Sequence, residues 1–311
     1  MNEYKPEGSL INTLKNREAI STLESLKHAF QTGAILESNV MLCDKNLNLH
    51  VQLNNEIKGI IPKEEVLILK TGEATKDIAI LTRVGKTVCF KVTGFKETPK
   101  GEKFAVLSRR EAQKDCVRNY INKLIPGDII PSRVTHLERF GAFCDIGCGI
   151  ISLLSIDSIS VSRITHPSAR LKIGDLIYTA VKSIDDKNRV FLSSKELLGT
   201  WEENANLFSE GQTVRGIVRS IESYGIFVEL TPNLAGLAEY KEGVYEGQMA
   251  AVYIKSILPD KMKIKLIIID SENTAQTHDS LSYFVDTSEG AHIDCWNYSP
   301  RLAKKKVETV F

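Results

Sequence analysis

Two pairs of aromatic residues are the side chains with the clearest chemical potential in this chain. Phe140 and Phe143 flank Gly141-Ala142, and Tyr224 and Phe227 repeat that spacing further along. Rings exposed on one face of a β-barrel can stack on unpaired bases, and each stack contributes roughly 1–3 kcal/mol. Because strand residues three apart alternate in direction, we expect a bulge at Gly141 to turn both rings outward. The spacing alone is equally compatible with core rings.

The sequence around the first pair predicts a small β-barrel. Apolar and β-branched segments alternate with Gly, Asp and Asn turns, which is typical of short strands. The five predicted strands are Ile129–Leu137, Phe140–Ile146, Ile150–Leu154, Leu176–Ile184 and Val190–Ser193. Five short strands in about 70 residues favour a closed or partly open barrel.

Similar patterns precede and follow this segment. On the N-terminal side, Leu47–Leu53 stands where the first aromatic pair would fall, and it contains no aromatic ring. That region is the most basic of the three, so contact with backbone phosphates and docking on another protein both remain open. On the C-terminal side a third copy begins at Gly211 and lacks the residues equivalent to Arg163–Ser168. The chain therefore predicts three barrels in tandem.

Helical periodicity predicts the segments between the barrels. Ala112, Cys116, Tyr120 and Leu124 recur at helical spacing, and the arginines beside them are interpreted as a solvated face. A capping-box pattern at 193–196 predicts a second connecting helix, whose Trp201 is expected to pack between domains.

We expect seven segments in a mainly β fold of five-stranded barrels joined by short α-helical connectors. They are an N-terminal helical segment (1–32) that closes near Gly33, a degenerate barrel (33–110), a helical linker (111–126), a central barrel (127–193), a helical linker (194–209), a third barrel (210–270) and a C-terminal tail (271–311) partly packed on the third barrel.

Composition excludes several classes of function. The formal net charge is only +1, so charge alone does not favour strong binding to nucleic acid. The six cysteines form no Cys-x-x-Cys pair, and we expect reduced thiols in a cytoplasmic protein. A pair such as His292 and Asp294 lacks a third ligand, so we expect neither a metal nor a cofactor. The sequence shows no paired-carboxylate, phosphate-loop or nucleophile motif, and we expect no enzyme activity.

Several blocks together resemble the S-one RNA-binding domain. They are Gly127-Asp128, Phe140-Gly-Ala-Phe143, Arg163-Ile-Thr-His-Pro-Ser168, Lys172-Ile-Gly-Asp175 and Ile184-Asp185 through Arg189-Val-Phe-Leu-Ser193. The Arg-x-x-His-Pro-Ser block is most similar to the repeats of the bacterial small-subunit ribosomal protein S-one family, of which this chain resembles a short form. The resemblance implies the five-stranded OB fold for each barrel and single-stranded RNA as ligand.

The resemblance also implies which residues contact RNA. In the central barrel they are Phe140, Phe143, Asp185 and Arg189, together with Arg163 and His166 of the Arg-x-x-His block. In the third barrel they are Tyr224 and Phe227, with Lys263 in the place of Arg189. Ser155 stands where the family often has His, and Glu239 occupies the equivalent place in the third barrel.

These expectations lead to one functional hypothesis and two alternatives. The hypothesis is a monomeric protein that binds single-stranded RNA and captures messenger RNA at the small ribosomal subunit. The first alternative is a free RNA chaperone or regulator. The second is an array of barrels that dock on other proteins.

Overall fold

The computed structural model describes residues 4–54, 57–68, 76–97, 101, 103–273 and 281–311. It divides into two compact units, Met1–Leu124 with Asp145–Ile151, and Ile125–Cys144 with Ser152–Phe311. Within the described residues, the strands form three closed five-stranded barrels, which confirms the predicted mainly β fold of OB type. In each barrel the fifth strand along the chain pairs in parallel with the third strand.

Fifteen strands of the described chain build the barrels. The first barrel contains β1 (Leu36–Cys43), β2 (Leu49–Gln52), β3 (Lys58–Ile61), β4 (Thr87–Glu97) and β5 (Lys103–Ser108). The central barrel contains β6 (Ile129–Glu138), β7 (Gly141–Asp145), β8 (Ile151–Ser155), β9 (Leu176–Ile184) and β10 (Val190–Ser193). The third contains β11 (Thr213–Glu222), β12 (Gly225–Thr231), β13 (Leu234–Ala238), β14 (Met249–Leu258) and β15 (Lys263–Glu272).

Alternation along the strands separates each barrel's core from its outer face. Leu49 and Val51 of β2 lie in the apolar core of the first barrel. Ile226 and Val228 of β12 lie in that of the third. Since successive strand residues point to opposite faces, the residues between them face outward. This periodicity is what leaves one face of a barrel free to bind a ligand.

The N-terminal segment folds as two helices, where the sequence pattern had suggested one. They are α1 (Leu14–Ser21) and α2 (Leu23–Thr32), and they are interrupted at Thr22, whose side chain accepts a hydrogen bond from the backbone N–H of Ser25. Gly33 ends α2 with φ +66°, a conformation that glycine adopts without strain. The helical segment therefore ends at Gly33, and its interior is not continuous.

The connectors contain less regular helix than the sequence suggests. A short helix, α3 (Asp77–Leu81), lies before β4, and α4 (Arg109–Asn119) follows β5 and is capped by Ser108. The second connector is a 3-10 turn, Lys195–Leu198, followed by α5 (Trp201–Ala205). The break falls at Gly199, with φ +84°. The capping box is formed by Thr200 and Glu203, so the assignment at residues 193–196 was wrong.

The C-terminal tail packs on two barrels of the second unit. Trp296 and Tyr298, at the short strand β16 (Cys295–Asn297), join the core cluster of the third barrel. Tyr283, Ile293 and Phe311 pack against Ile129, Ala180 and Leu197 of the central barrel and its connector. The strand β17 (Glu308–Val310) pairs with β16. The tail thus covers more than the third barrel, on which it was expected to lie.

Buried charges organise the first unit. Arg109 was expected on a solvated helix face, but it is fully buried. Its Nε donates to Glu7 Oε1 at 2.6 Å and its second guanidinium nitrogen donates to Glu7 Oε2 at 3.0 Å. Glu7, which is distant in sequence, thus supplies the counter-ion, and helical periodicity alone does not reveal it. The bidentate geometry makes this a strong, direction-specific contact.

A second buried carboxylate holds the start of the chain. Glu37 of β1 accepts hydrogen bonds from the backbone N–H groups of Gly8, Leu10 and Ile11 at 2.8–3.1 Å. Asn16 also exchanges two hydrogen bonds with the Glu37 backbone. The N-terminal residues that precede α1 are therefore fixed by polar contacts.

These buried acids make the stability of the first unit depend on pH. Burial raises the pKa of Glu37 to about 7. Burial, with the nearby charge of Glu7 next in importance, raises the pKa of Asp145 of the same unit to about 7. A carboxyl whose pKa is raised on folding stabilises the fold while it is protonated. We therefore expect the free energy of unfolding to fall as pH rises from about 4.5 to about 7.

Glu37→Gln tests this pH dependence. In the variant, the free energy of unfolding should fall less over this pH interval, because the contribution of Glu37, up to about 3 kcal/mol, is lost. Urea unfolding of both proteins at several pH values measures the difference, in which contributions from other groups cancel. Glu24→Gln, which removes an exposed carboxylate of α2, controls for the change in charge. Equal pH dependence in wild type and Glu37→Gln would contradict the prediction.

Candidate nucleic-acid interface

Glycine at the start of β7 and of β12 lets two strands approach closely. A Cβ on Gly141 would lie 2.4 Å from the backbone oxygen of Leu154, and one on Gly225 would lie 2.5 Å from that of Ala238. Real Cβ atoms do not approach backbone oxygen so closely, and any larger residue would push β8 or β13 away. The glycine between the two rings therefore sets the position of the strand beside them.

Both aromatic pairs have the same geometry. The ring centroids of Phe140 and Phe143 are 5.9 Å apart at an interplanar angle of 89°. Those of Tyr224 and Phe227 are 6.1 Å apart at 88°. Phe140 is 55% exposed and Tyr224 is 67% exposed, so neither ring is part of a core. In each pair one ring is exposed and the second, Phe143 or Phe227, is half-buried at a right angle to it, an arrangement suited to stacking on a base.

The turn before the strand, and not a bulge at the glycine, places the third barrel's rings. Tyr224 lies in the tight turn between β11 and β12, where Glu222 pairs in register with Gly225. The irregularity of this hairpin lies on the opposite strand, between Val218 and Ser220. Phe140 likewise precedes β7. Because the first ring of each pair precedes the strand, strand alternation does not place it on the opposite face of the barrel from the second ring.

The strand register reveals outward residues that sequence reasoning missed. In the third barrel, Phe227 lies opposite Leu237, and Leu237 lies opposite Lys265 of β15. In the central barrel the equivalent parallel pair joins Leu153 to Phe191 of β10. The fifth strand therefore contributes a third ring to the central face and a lysine to the third barrel's face. Alignment of the two fifth strands, Val190–Ser193 with β15, was the signal that could have found them.

Arg189 and Asp185 meet in the turn before β10. Asp185 Oδ1 accepts hydrogen bonds from the backbone N–H groups of Lys187 and Arg189, and Oδ2 accepts one from Arg189 Nε at 2.7 Å. The hydrogen bond from the Arg189 backbone is the main reason why the pKa of Asp185 is lowered. The guanidinium carbon of Arg189 lies 6.0 Å from the centre of the Phe191 ring. Asp185 thus orients Arg189 beside a ring.

A histidine extends the central face. The rings of His136 and Phe143 have centroids 6.3 Å apart and are inclined by only 28°. His136 Nε2 also lies 2.8 Å from Glu138 Oε1. The Phe143 ring is therefore bordered by Phe140 on one side and by His136 on another.

The remaining predicted site residues lie elsewhere. Lys263 is the first residue of β15 and is exposed. Arg163 and His166 lie between β8 and β9, beside the 3-10 turn Pro167–Ala169, and they line a cavity together with residues of the third barrel. Among the described residues, no group of three or more His, Cys, Asp or Glu side chains is arranged to hold a metal ion. His292 donates from Nδ1 to Asp128 at 2.8 Å.

The first barrel offers a different surface. In its Leu47–Leu53 segment, Nε2 of His50 lies 3.2 Å from Asp44 Oδ2. Its face contains no pair equivalent to Phe140 and Phe143 in the described Leu47–Leu53 strand region.

None of the described helices in the chain is long and apolar enough to cross a membrane.

Comparison with known proteins bears on the central barrel directly. The family model described as "S1 RNA binding domain" matches residues 123–195. That stretch holds the aromatic pair and the Asp185–Arg189 turn. Residues 123–195 thus match the S1 RNA-binding domain.

Relatives of the S1 type cover most of the chain. Small ribosomal subunit protein bS1 of Staphylococcus aureus (strain COL) is 27% identical over 282 residues, which cover 87% of this chain and 67% of that protein. The protein of the same name from Staphylococcus epidermidis is 26% identical and covers 92% of this chain and 76% of the relative. A crystal structure of a multidomain protein with nucleic acid binding domains from Streptococcus pneumoniae is 18% identical, covers 76% of this chain and 73% of that chain, and has a TM-score of 0.26.

The ring geometry predicts how loss of the S1 domain's aromatic pair acts. Replacing Phe140 and Phe143 together by Ala should weaken binding of an unstructured oligoribonucleotide by roughly 2–5 kcal/mol, because two stacks are lost. Fluorescence anisotropy measures the affinity, and circular dichroism should show that the fold is retained.

Phe30→Ala is the matched control. Phe30 is a half-exposed ring that meets Phe95 at 86°, in the first unit and outside residues 123–195. Its loss should leave RNA affinity unchanged. Unfolding of the Phe140/Phe143 variant would show instead that the pair supports the core.

Proposed function

We propose that this protein binds single-stranded RNA through the outer faces of its central and third barrels. The observation that carries this proposal is the recurrence of one exposed, perpendicular ring pair in two barrels. In each barrel a glycine holds the neighbouring strand close to the pair. Stacking on such rings is tolerant of base identity, so the proposed binding has only mild sequence preference.

The residues have distinct roles in this proposal. Phe140, Phe143, Tyr224 and Phe227 stack on bases, with Phe191 as a further ring of the central face. Arg189, held by Asp185, and Lys263 neutralise backbone phosphates. Lys265, which lies in line with Phe227 and Leu237, supplies another charge in the third barrel. No step of this role requires bond-breaking chemistry, and we infer a binding function without catalysis.

The proposed cellular role is capture of messenger RNA at the small ribosomal subunit. The relatives are named as small ribosomal subunit proteins, and the similarity extends over most of this chain. In this role the first barrel, whose described β2 region has no ring pair, contacts RNA phosphates or a protein instead of stacking on bases. A protein that works on the ribosome is cytoplasmic, and we propose that it acts there as a monomer.

A comparison of single and double strands tests the binding mode. A duplex hides the base faces that the rings need, so the protein should prefer an unstructured strand to a perfect duplex of the same sequence. The slope of log affinity against log salt should be shallow, about −2 to −3.5, because few phosphates are neutralised at about −0.7 each. Arg189→Ala should reduce that slope by about 0.7, whereas Phe143→Ala should lower affinity with little change in slope. Equal affinity for strand and duplex would contradict stacking.

Sedimentation tests the ribosomal role. Tagged protein in a cell extract at low salt should travel with small-subunit fractions of a sucrose gradient. Nuclease treatment that removes messenger RNA separates attachment to the subunit from attachment to its bound RNA. Protein that remains at the top of the gradient while still binding RNA would support a free RNA chaperone instead. Barrels that bind no RNA but retain protein partners would support the docking alternative.

A further inference from the structure

The loop between β8 and β9 of the central barrel is anchored to the third barrel at both ends. At its start, the backbone N–H of Val161 donates to Asn233 Oδ1 and that of Ser162 donates to the Pro232 oxygen, both at 3.0 Å. At its end, Arg170 is buried and its guanidinium binds Glu229 of β12. Residues 163–169 therefore lie against the third barrel and are held in place before any ligand arrives.

The anchor lies next to the third barrel's rings. Ile226 and Val228 belong to the core, so Phe227 and Glu229 both point to the outer face. Two residues along a strand span about 7 Å. Glu229 also accepts two hydrogen bonds from Arg219, at 2.8 and 3.1 Å. The loop is thus bound about one nucleotide's length from Phe227.

A groove opens between the loop and the third barrel. It has a volume of about 330 Å³ and is lined on one side by Arg163, Thr165 and His166, and on the other by Arg219 and Glu246. We call it the inter-barrel groove. Its volume is at the lower end of the range for small-molecule sites. Its charged residues, with Arg170 and Glu229 of the anchor, comprise three arginines and two glutamates, so the groove favours an anion.

Two donors in the groove are available to a ligand. Arg163 is exposed, and its guanidinium has no hydrogen-bond or ion-pair partner among the residues that the structure describes. His166 Nδ1 accepts a hydrogen bond from the backbone N–H of Ser168 at 3.1 Å. A neutral ring whose Nδ1 accepts carries its proton on Nε2, so Nε2 can donate to a phosphate oxygen.

We propose that the inter-barrel groove binds the nucleotide next to the base that stacks on Phe227, with Arg163 and His166 on its phosphate. The proposal rests on the proposed RNA-binding function and reassigns both residues. The sequence resemblance placed them in the central barrel's site, whereas here they complete the site of the third barrel. The third barrel's own β13–β14 connection, residues 239–248, is shorter than the β8–β9 loop and contains no Arg-x-x-His block, and the neighbouring barrel supplies one.

The proposal predicts a specific coupling between residues. In the full chain, Arg163→Ala should weaken binding of a labelled twelve-nucleotide oligouridylate about 3- to 10-fold and make the salt slope shallower by about 0.7. Combined with Tyr224→Ala and Phe227→Ala, it should have little further effect, because the nucleotide is no longer held there. Combined with Phe140→Ala and Phe143→Ala, its effect should be undiminished.

Arg301→Ala is the matched control, since it removes an exposed guanidinium of the same unit that lies outside the groove. Arg163→Lys keeps the charge and should restore the wild-type salt slope. If Arg163→Ala behaves like Arg301→Ala, or is coupled to Phe140 and Phe143 instead, the groove assignment is overturned while the RNA-binding function stands. If the wild-type protein does not bind the oligouridylate, the RNA-binding function fails and the groove assignment fails with it.

Discussion

The close approach of a backbone oxygen to Gly141 and to Gly225 is the constraint on which both aromatic faces depend. A side chain at either position would have to occupy the space of the neighbouring strand's carbonyl. With glycine there, the strand pair stays closed, and the residue before the glycine stays in a tight turn. The ring of that residue then meets the ring two positions after the glycine at a right angle. The glycine thus links barrel closure to the exposure of two rings.

Buried charges fix segments whose apolar contacts are few. Arg109 with Glu7 holds the chain's N-terminal segment in the first unit, and Glu229 with Arg170 and Arg219 holds the β8–β9 loop in the second. Buried ion pairs contribute little net stability compared with apolar residues, but loss of one partner costs about 3–5 kcal/mol because the other charge remains buried. These ion pairs therefore specify the position of a segment. Any other position of the segment would leave a buried charge without its partner, which costs free energy.

The sequence predicted the barrels because their causes are local. Alternation, turn residues and glycine spacing act within a few residues, and they predicted the strands of the central barrel to within a few positions. Features that depend on residues distant in sequence were not predicted. Periodicity placed Arg109 on a solvated face because its partner, Glu7, is remote in sequence. Phe191 was missed because only the pairing of β10 with β8 puts it in line with Leu153. Arg163 and His166 were recognised as polar site residues, but the barrel that they face is determined by contacts at Pro232 and Asn233.

The two aromatic faces differ on the fifth strand, and that difference gives them different physical properties. In the central barrel the fifth strand adds Phe191, with the Arg189 guanidinium near its ring. In the third barrel the same place holds Lys265, with Arg163 supplied from the neighbouring loop. Contacts through rings release no counterions and are nearly insensitive to salt, whereas contacts through cations weaken as salt rises. Because hydrogen bonds join the two barrels within one unit, a strand bound by one barrel is presented to the other at a high effective concentration. At low salt both faces contribute to this second step. In the proposed RNA-binding role, rising salt therefore weakens the third barrel's contacts more than those of the central barrel, although each barrel keeps its ring pair.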